Sequence, residues 1–396
     1  MRTQKLPLTN SEKVSKFQII ILPLLVSPRV ILKKRKTHLE NLSNPSINYT
    51  DSDATAASRK QDHIELAFDA QVFKNQLDNR FYYEPVLAAH PKTETKPFEF
   101  LGKQMNAPLW VSSMTGGTEW AKIINQNLAK VCGEYKLGMG LGSCRALLTD
   151  DDCLPDFDVR KFIGDQPLYA NLGIAQLEQL IKAKQTKKID ELLKKLQADG
   201  LIIHINPLQE WLQPEGDRFE KSPLETIKQL LETATYPIIV KEVGQGFGKE
   251  SLEELLNLPL AAIDFAASGG TNFALLELKR SNQLSQNLFE SLAHIGHSAE
   301  EMVNFCNEIK SDYYNNLKSK VKYSSRTIKC NQIIISGGVK TFLDGYYLTE
   351  KINFDAIYGQ ASGFLKHARG SYEELQAYTE GQLNGLKVAK QFLKVR

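Results

Sequence analysis

Beyond about residue 58, short apolar runs that end in Gly, Ser, Asn or Glu alternate with longer amphipathic stretches. This alternation is typical of repeated strand–helix units around a parallel sheet. Eight runs predict strands: Pro108–Ser112, Leu137–Leu141, Leu168–Asn171, Leu201–Asn206, Ile238–Glu242, Ala261–Phe265, Ile333–Ser336 and Ala356–Gly359. Eight parallel strands with helical returns predict an α/β fold of the (β/α)8 type, a TIM barrel. An open, doubly wound sheet is the alternative, because strand number alone does not establish closure.

Two segments carry long helical patterns. Ile174–Leu196 has apolar residues mostly three or four apart, which predicts one helix with an apolar face. Leu275–Cys330 is the longest gap between predicted strands, and its length predicts two helices inserted between the sixth and seventh strands.

The first part of the chain differs from the rest. Ile19–Val26 is an apolar run too short to span a bilayer, and Asn, Ser, Thr, Asp and Ala dominate from about residue 42 to 58. We therefore expect residues 1–57 to be an N-terminal extension, disordered or reflecting a misassigned start, and residues 58–396 to be one barrel domain. No stable association with a membrane is expected.

Composition excludes several classes of function. A formal charge of +3, without a lysine run interleaved with aromatic residues, argues against nucleic-acid binding. The five cysteines form neither a Cys-x-x-Cys pair nor a zinc-type cluster with histidine. An odd number of unpaired cysteines indicates a reducing cytoplasm.

Polar residues follow the first six predicted strands, where a barrel places its reactive groups. They include Ser112-Ser113-Met114-Thr115, Gly142-Ser143-Cys144-Arg145, Asn171, His204-Ile205-Asn206-Pro207-Leu208-Gln209-Glu210, Lys241-Glu242 and Ser268-Gly269-Gly270-Thr271. Each could be ordinary loop or cap chemistry, but six in the same position indicate a site.

Glycine-rich turns follow the last two strands, at Ser336-Gly337-Gly338 and Gly359-Gln360-Ala361-Ser362-Gly363. Barrels bind phosphate at this place through backbone N–H groups and the start of a short helix, so a phosphorylated ligand is predicted. With Lys241 available to place a cation beside an electron-rich ring, the pattern suggests flavin mononucleotide (FMN). Alternatively, Lys241 could form a Schiff base in an aldolase-like barrel.

A compact cationic group, Arg59, Lys60 and His63, precedes the barrel. Together these side chains could hold a diphosphate. The same pattern is also common at a solvated helix start.

Several motifs resemble type 2 isopentenyl-diphosphate isomerases, in order, over nearly everything from Ser58 to the end. The most specific is His204-x-Asn206-x-x-Gln209-Glu210 followed by Gln213-Pro214-Glu215-Gly216-Asp217. The others are Arg59-Lys60-x-x-His63-Ile64, Ser113-Met114-Thr115-Gly116-Gly117, Gly142-Ser143-x-Arg145, Asn171-Leu172-Gly173, Val240-Lys241-Glu242-Val243-Gly244, Gly269-Gly270-Thr271 and Ser336-Gly337-Gly338.

The resemblance implies roles for individual residues. FMN contacts would be Ser113, Met114, Thr115, Ser143, Asn171, Lys241, Thr271, Gly337, Gly338, Val339, Gly359, Gln360 and Ala361. The diphosphate substrate would meet Arg59, Lys60, His63, Ser143, Cys144, Arg145 and Gln209, with His204, Asn206 and Gln209 at the reacting centre. Glu210 would hold Mg2+. Cys144 departs from the family, which usually has Gln there.

The implied reaction is the interconversion of isopentenyl and dimethylallyl diphosphate in isoprenoid biosynthesis. Moving an unactivated double bond requires a proton delivered to one carbon and removed from another, and reduced flavin can mediate both transfers. The resemblance also implies priming by NADPH without net consumption, and a homo-oligomer, a tetramer or an octamer. An FMN-dependent hydroxy-acid oxidoreductase and a non-catalytic phosphate-binding barrel are the alternatives.

Overall fold

The computed structural model describes residues 55–92, 96–112, 119–318 and 327–396. Contacts divide the chain into two units, Met1–Leu77 and Asp78–Arg396. In the first unit, the described residues form helix α1 (Ala56–Leu66) and a 3-10 turn at Lys74–Gln76. The apolar run Ile19–Val26 lies outside the described residues, and the domain boundary at residues 57 and 58 stays a prediction.

The second unit is built around a closed parallel barrel. Its strands, in chain order, are β1 (Phe81–Tyr83), β2 (Phe98–Phe100), β3 (Lys103–Met105), β4 (Leu109–Val111), β5 (Gly138–Gly140), β6 (Leu168–Gly173), β7 (Gly200–His204), β8 (Ile238–Lys241), β9 (Ala262–Asp264), β10 (Gln332–Ser336), β11 (Asp355–Gln360) and β12 (Leu393–Val395). In the described part of this unit, β4 to β11 pair in sequence and β11 pairs back with β4. The eight predicted strands and the (β/α)8 barrel are confirmed, and the open sheet is excluded.

Helices return the chain between the strands. They are α2 (Glu119–Tyr135), α3 (Leu154–Phe157), α4 (Arg160–Ile163), α5 (Ile174–Lys182), α6 (Lys187–Leu196), α7 (Pro207–Leu212), α8 (Pro223–Leu231), α9 (Lys249–Leu256), α10 (Phe273–Arg280), α11 (Gln283–Ala293), α12 (Ala299–Lys318), α13 (Phe342–Lys351), α14 (Ser362–Ala368) and α15 (Tyr372–Phe392). None of the described helices is long and apolar enough to cross a bilayer.

The prediction of one helix over Ile174–Leu196 is wrong, because α5 ends at Lys182 and α6 begins at Lys187. Lys184 has φ +56°, a left-handed conformation that reverses the backbone between them. The apolar stripe itself has a gap here, since Leu, Ile and Val are missing from residues 182–188. Without apolar anchors, packing does not hold this stretch in a continuous helix.

The prediction of two helices in Leu275–Cys330 is also wrong, because the described part of the segment between β9 and β10 contains α10, α11 and α12. Asn282 separates the first two by capping α11, its side-chain oxygen accepting a hydrogen bond from the Ser285 N–H at 2.9 Å.

Side-chain alternation divides the barrel into two apolar clusters. One apolar residue of each of seven strands faces the barrel axis; these residues are Trp110, Tyr169, Ile202, Ile239, Ala262, Ile334 and Ile357. Phe100 and Met105 of the β2–β3 hairpin pack into the same cluster. The neighbouring strand residues face outward and join the larger cluster under the helices. The hairpin side chains therefore add to the apolar filling of the barrel interior.

We expect Gly138→Ala to destabilise the protein by about 1–3 kcal/mol, because overpacking of a filled core costs that much. A Cβ at Gly138 would lie 2.3 Å from the buried ring of Trp110. Gly381→Ala is the matched control, since no described atom lies within 4 Å of its Cβ position in α15. It should stabilise the helix by about 0.5–1 kcal/mol. Urea unfolding of the variants measures both changes, and equal effects would contradict this account of the core.

Candidate active site

A layer of polar residues lies at the carboxyl ends of the barrel strands. Each follows an inward-facing apolar residue by two positions, so it faces the same side of its strand. The layer comprises Ser112, Asn171, His204, Lys241, Asp264 and Ser336. Register places three of them side by side, because His204 pairs with Lys241 and Lys241 pairs with Asp264.

An open cleft lies beside this layer. Eight of the residues predicted to contact a flavin line it: Lys241, Thr271, Gly337, Gly338, Val339, Gly359, Gln360 and Ala361. Of the others, Ser143 is exposed and Asn171 is buried in the wall next to His204. Ser113, Met114 and Thr115 lie outside the described residues.

The floor of the cleft requires glycine. Gly337 and Gly338 have φ +86° and +71°, in the left-handed region that disfavours other residues. A Cβ at Gly337 would lie 2.1 Å from the carbonyl oxygen of Ala267. After β11, the chain enters the short helix α14 directly at Ser362. A glycine turn and a short helix after the last two strands fit a phosphate group.

Lys241 and Asp264 place two ionisable side chains on neighbouring strands inside the barrel. Lys241 is 7% exposed, and its ammonium donates a hydrogen bond to the Glu242 carbonyl at 2.8 Å. Burial raises the pKa of Asp264, while the charge of Lys241 and the hydroxyl of Ser336, which donates to Oδ1, oppose the rise. Among the described residues, Asp264 Oδ2 has no hydrogen-bond partner.

Asp264 is not among the site residues predicted from the sequence, because it stands within the strand and not in the loop after it. The available signal was its position two residues after Ala262, the inward residue of β9.

His204 is held as a neutral imidazole. The Asn171 amide donates to the Leu141 carbonyl at 3.1 Å, so its oxygen is left to accept from His204 Nδ1 at 2.8 Å. This fixes the proton on Nδ1 and leaves the Nε2 lone pair free of it. Burial, and next the charge of Lys241, lower the pKa of His204 to about 3.

Asn206, Gln209 and Glu210 converge at the start of α7. The Asn206 amide nitrogen donates to Gln209 Oε1 at 3.1 Å and to Glu210 Oε1 at 2.9 Å. Asn206 Oδ1 is buried and has no partner among the described residues. In this part of the chain, no group of three Asp, Glu, His or Cys residues could hold a metal. A lone carboxylate still fits Mg2+, which uses one or two carboxylates with phosphate oxygens and water.

Arg145 and the preceding Cys144 differ in burial. Arg145 is 57% exposed and forms an ion pair with Asp217 at 2.6 Å. Cys144, beside it, is fully buried; burial raises the pKa of its thiol to about 12, and the thiol donates to the Gly142 carbonyl. Cys144 therefore packs in the core, and its contact with substrate stays a prediction.

Arg59, Lys60 and His63 lie on α1 in the first unit, and all three are exposed. Arg59 and His63 are four residues apart, so they share one face of the helix. This placement agrees with either a binding role or a solvated helix surface.

The fold and the polar layer define a class of protein: a (β/α)8 barrel enzyme with a glycine turn after a late strand, where barrels of this class bind phosphate. No family model matches the chain. Its fold is similar to the recombinant flavin-binding domain of baker's yeast flavocytochrome b2, with a TM-score of 0.52, 12% identity, and coverage of 79% of this chain and 72% of that chain. Mutant flavocytochrome b2 with pyruvate bound gives the same values. At this identity the likeness concerns the fold alone.

Curated relatives are closer in sequence. The isopentenyl-diphosphate delta-isomerase of Rickettsia rickettsii is 35% identical over 332 residues, which cover 81% of this chain and 90% of that protein. The enzyme of the same name from Nostoc sp. is 35% identical over 338 residues, 84% of this chain and 90% of that protein. The chain belongs to the isopentenyl-diphosphate delta-isomerase family.

We expect the His204 imidazole to remain neutral throughout about pH 5–8, where an unperturbed histidine titrates. Its pKa of about 3 in the folded state lies below the ordinary histidine value of 6.5, so the folded state takes up this proton only in strong acid. Stability contributed by the neutral ring is present above pH 6.5 and is lost as the pH falls toward 3. Nitrogen NMR of the labelled protein, recorded as a function of pH, distinguishes the neutral from the protonated His204 ring. A midpoint near 6.5 for His204 would refute this assignment.

Proposed function

We propose that this protein is a flavin-dependent, type 2 isopentenyl-diphosphate isomerase that interconverts isopentenyl and dimethylallyl diphosphate. The observation that carries the proposal is the polar layer of the barrel. There, the buried Lys241 and the neutral His204 are neighbours, and Lys241 lines the same cleft as the Gly337–Gly338 turn.

FMN is the cofactor that best suits the cleft. Its phosphate would lie at Gly337 and Gly338, whose left-handed backbone frees N–H groups, and at the start of α14. Lys241 would stand beside the ring, where its charge favours an electron-rich reduced form. When bound and reduced, the flavin supplies a proton-carrying nitrogen and an electron-rich face. Priming by NADPH, with no net consumption, belongs to the same proposal.

The diphosphate would be held by Mg2+ and by a guanidinium near α7. Glu210 presents a carboxylate for Mg2+, and the unpartnered Oδ1 of Asn206 lies in the same group. Arg145 supplies a guanidinium, which matches phosphate geometry. The roles proposed for Arg59, Lys60 and His63 rest on the family resemblance.

The protein's own part in the reaction is to place the substrate and limit charge around it. A neutral His204 adds no positive charge where carbocation character develops, whereas an imidazolium would oppose it. Buried walls also exclude water, which would otherwise capture the cation. A homo-oligomer working in the cytoplasm completes the proposal.

A flavin-dependent hydroxy-acid oxidase is the second candidate, favoured by the shared fold. It would need a histidine base with an arginine in the cleft. No histidine is among the described residues that line the cleft, and His204, in the polar layer beside it, is hydrogen-bonded to Asn171 and not to an arginine. His294 is exposed, His297 lies beside Glu301 at 3.1 Å, and His367 stacks on Tyr378. The isomerase therefore fits the site better.

The deciding experiment incubates the purified protein with isopentenyl diphosphate, FMN, Mg2+ and reductant without oxygen. We expect dimethylallyl diphosphate to form over many turnovers while the reductant stays constant after priming. Product is measured by chromatography and reductant by absorbance in the same sample. Stoichiometric loss of reductant would defeat the isomerase, and oxidation of 2-hydroxy acids in a parallel assay with oxygen as the electron acceptor would favour the oxidase. A protein that takes up no flavin would refute both.

Glu210→Gln should weaken magnesium binding and leave FMN binding unchanged. The substitution keeps the shape but removes the charge, and a lost charge-assisted contact costs about 1.5–3 kcal/mol. The Mg2+ concentration for half-maximal activity should therefore rise roughly tenfold to a hundredfold. Glu232→Gln, at the exposed end of α8, is the matched control. An unchanged magnesium requirement in Glu210→Gln would remove Glu210 from the metal site.

A further inference from the structure

The loop between α7 and α8 contacts two residues of the proposed substrate site through one amino acid. Asp217 uses its side chain on Arg145 and its backbone on Glu210. The side chain of Asp217 is only 18% exposed, although the loop is on the surface.

The carboxylate end of Asp217 is fixed by three donors. Arg145 donates to Oδ2 at 2.6 Å, Gln176 donates to the same oxygen at 2.9 Å, and Gln179 reaches Oδ1 at 3.3 Å. The two glutamines come from α5, so they anchor the carboxylate to the barrel. Arg145 is otherwise a long, half-exposed side chain, and holding it in one conformation before the substrate arrives reduces the entropy lost on binding.

The backbone end of Asp217 is fixed as firmly. Its N–H donates to Glu210 Oε2 at 2.7 Å. This approach requires Gly216, because a Cβ there would lie 2.0 Å from the Glu210 carbonyl oxygen. Arg218 closes the loop by donating to that carbonyl and packing over the Trp211 ring at 4.9 Å.

We propose that Asp217 is a positioning residue that orients Arg145 and Glu210 toward the same diphosphate. Arg145 would contact the phosphate oxygens directly and Glu210 would contact them through Mg2+, so the two must be aligned with one another. The inference rests on the proposed function for the identity of the ligand. It concerns the coupling of two groups through one loop residue, which the function itself does not require.

A different role for Asp217 predicts the opposite result. If its carboxylate only neutralised Arg145, removing the charge would free the guanidinium and strengthen diphosphate binding. If it positions Arg145, removing the charge loosens the guanidinium and weakens binding. The sign of the change therefore separates the two roles.

The first variant is Asp217→Asn, studied as the FMN-loaded enzyme at saturating Mg2+. We expect the KM for isopentenyl diphosphate to rise about tenfold, the size of effect that outer contacts of a ligand site have. We expect kcat to change by less than about twofold, because the backbone contact to Glu210 remains. Glu220→Gln makes the same chemical change in an exposed ion pair of the same loop and should leave KM unchanged.

A double-mutant cycle tests whether the effect passes through Arg145. In an Arg145→Ala background, Asp217→Asn should add less than about twofold to KM, because the group it orients is gone. An additive tenfold effect in that background would overturn the inference.

A second variant tests the backbone contact. Gly216→Ala should raise the Mg2+ requirement about tenfold, because its Cβ displaces the loop from Glu210, whereas Asp217→Asn should not. The flavin spectrum and the Tm of each variant identify any that fail to fold. If Gly216→Ala fails to fold, Asp217→Asn remains the test of the inference.

Binding of magnesium pyrophosphate, measured by calorimetry, separates this inference from the proposed function. If the wild-type protein binds magnesium pyrophosphate about tenfold more tightly than Asp217→Asn does, the inference is supported. This holds even if isopentenyl diphosphate is not turned over, because that outcome would defeat only the proposed function. Equal affinities, tighter binding by Asp217→Asn, or no binding by the wild type would overturn the role of Asp217.

Discussion

The active end of this protein depends on the two-residue alternation of its barrel strands. Residues such as Ile202 and Ile239 fill the interior, and two positions further on the same face carries His204 and Lys241. Closure of the barrel brings the polar residues of different strands into one layer. The apolar layer beneath supplies a rigid, water-poor support, which is what preorganised polar groups require.

Within this layer one charge shifts the pKa of both of its neighbours downward. The ammonium of Lys241 lowers the pKa of His204 and opposes the burial-driven rise at Asp264. A buried charge is costly unless it is paired and hydrogen-bonded, and Lys241 has the Glu242 carbonyl as a direct partner. Beside it, Asp264 keeps one carboxylate oxygen without a partner among the described residues. The layer is thus incompletely satisfied, as expected of a site that accepts a polar ligand.

The loops outside the barrel add a second level of order. Glycines are used where backbones must approach closely, at Gly337 against Ala267 and at Gly216 against Glu210. One approach shapes the proposed phosphate site, and the other ties the loop around Asp217 to α7. The barrel therefore supplies fixed positions, and the loops connect residues that the strands alone would leave independent.

The sequence by itself determined the eight strands and the family, because short apolar runs between amphipathic stretches and ordered motifs are local and legible. Closure of the eight strands into a barrel was decided by the tertiary structure, because strand number alone does not establish it. The sequence also located most residues of the cleft, since strand ends are marked by Gly and polar residues. Only the tertiary structure decided that Cys144 faces the core, that Asp264 adjoins Lys241, and that Asp217 joins Arg145 to Glu210. Those facts depend on side-chain direction and on contacts between residues distant in the chain, which no local pattern encodes.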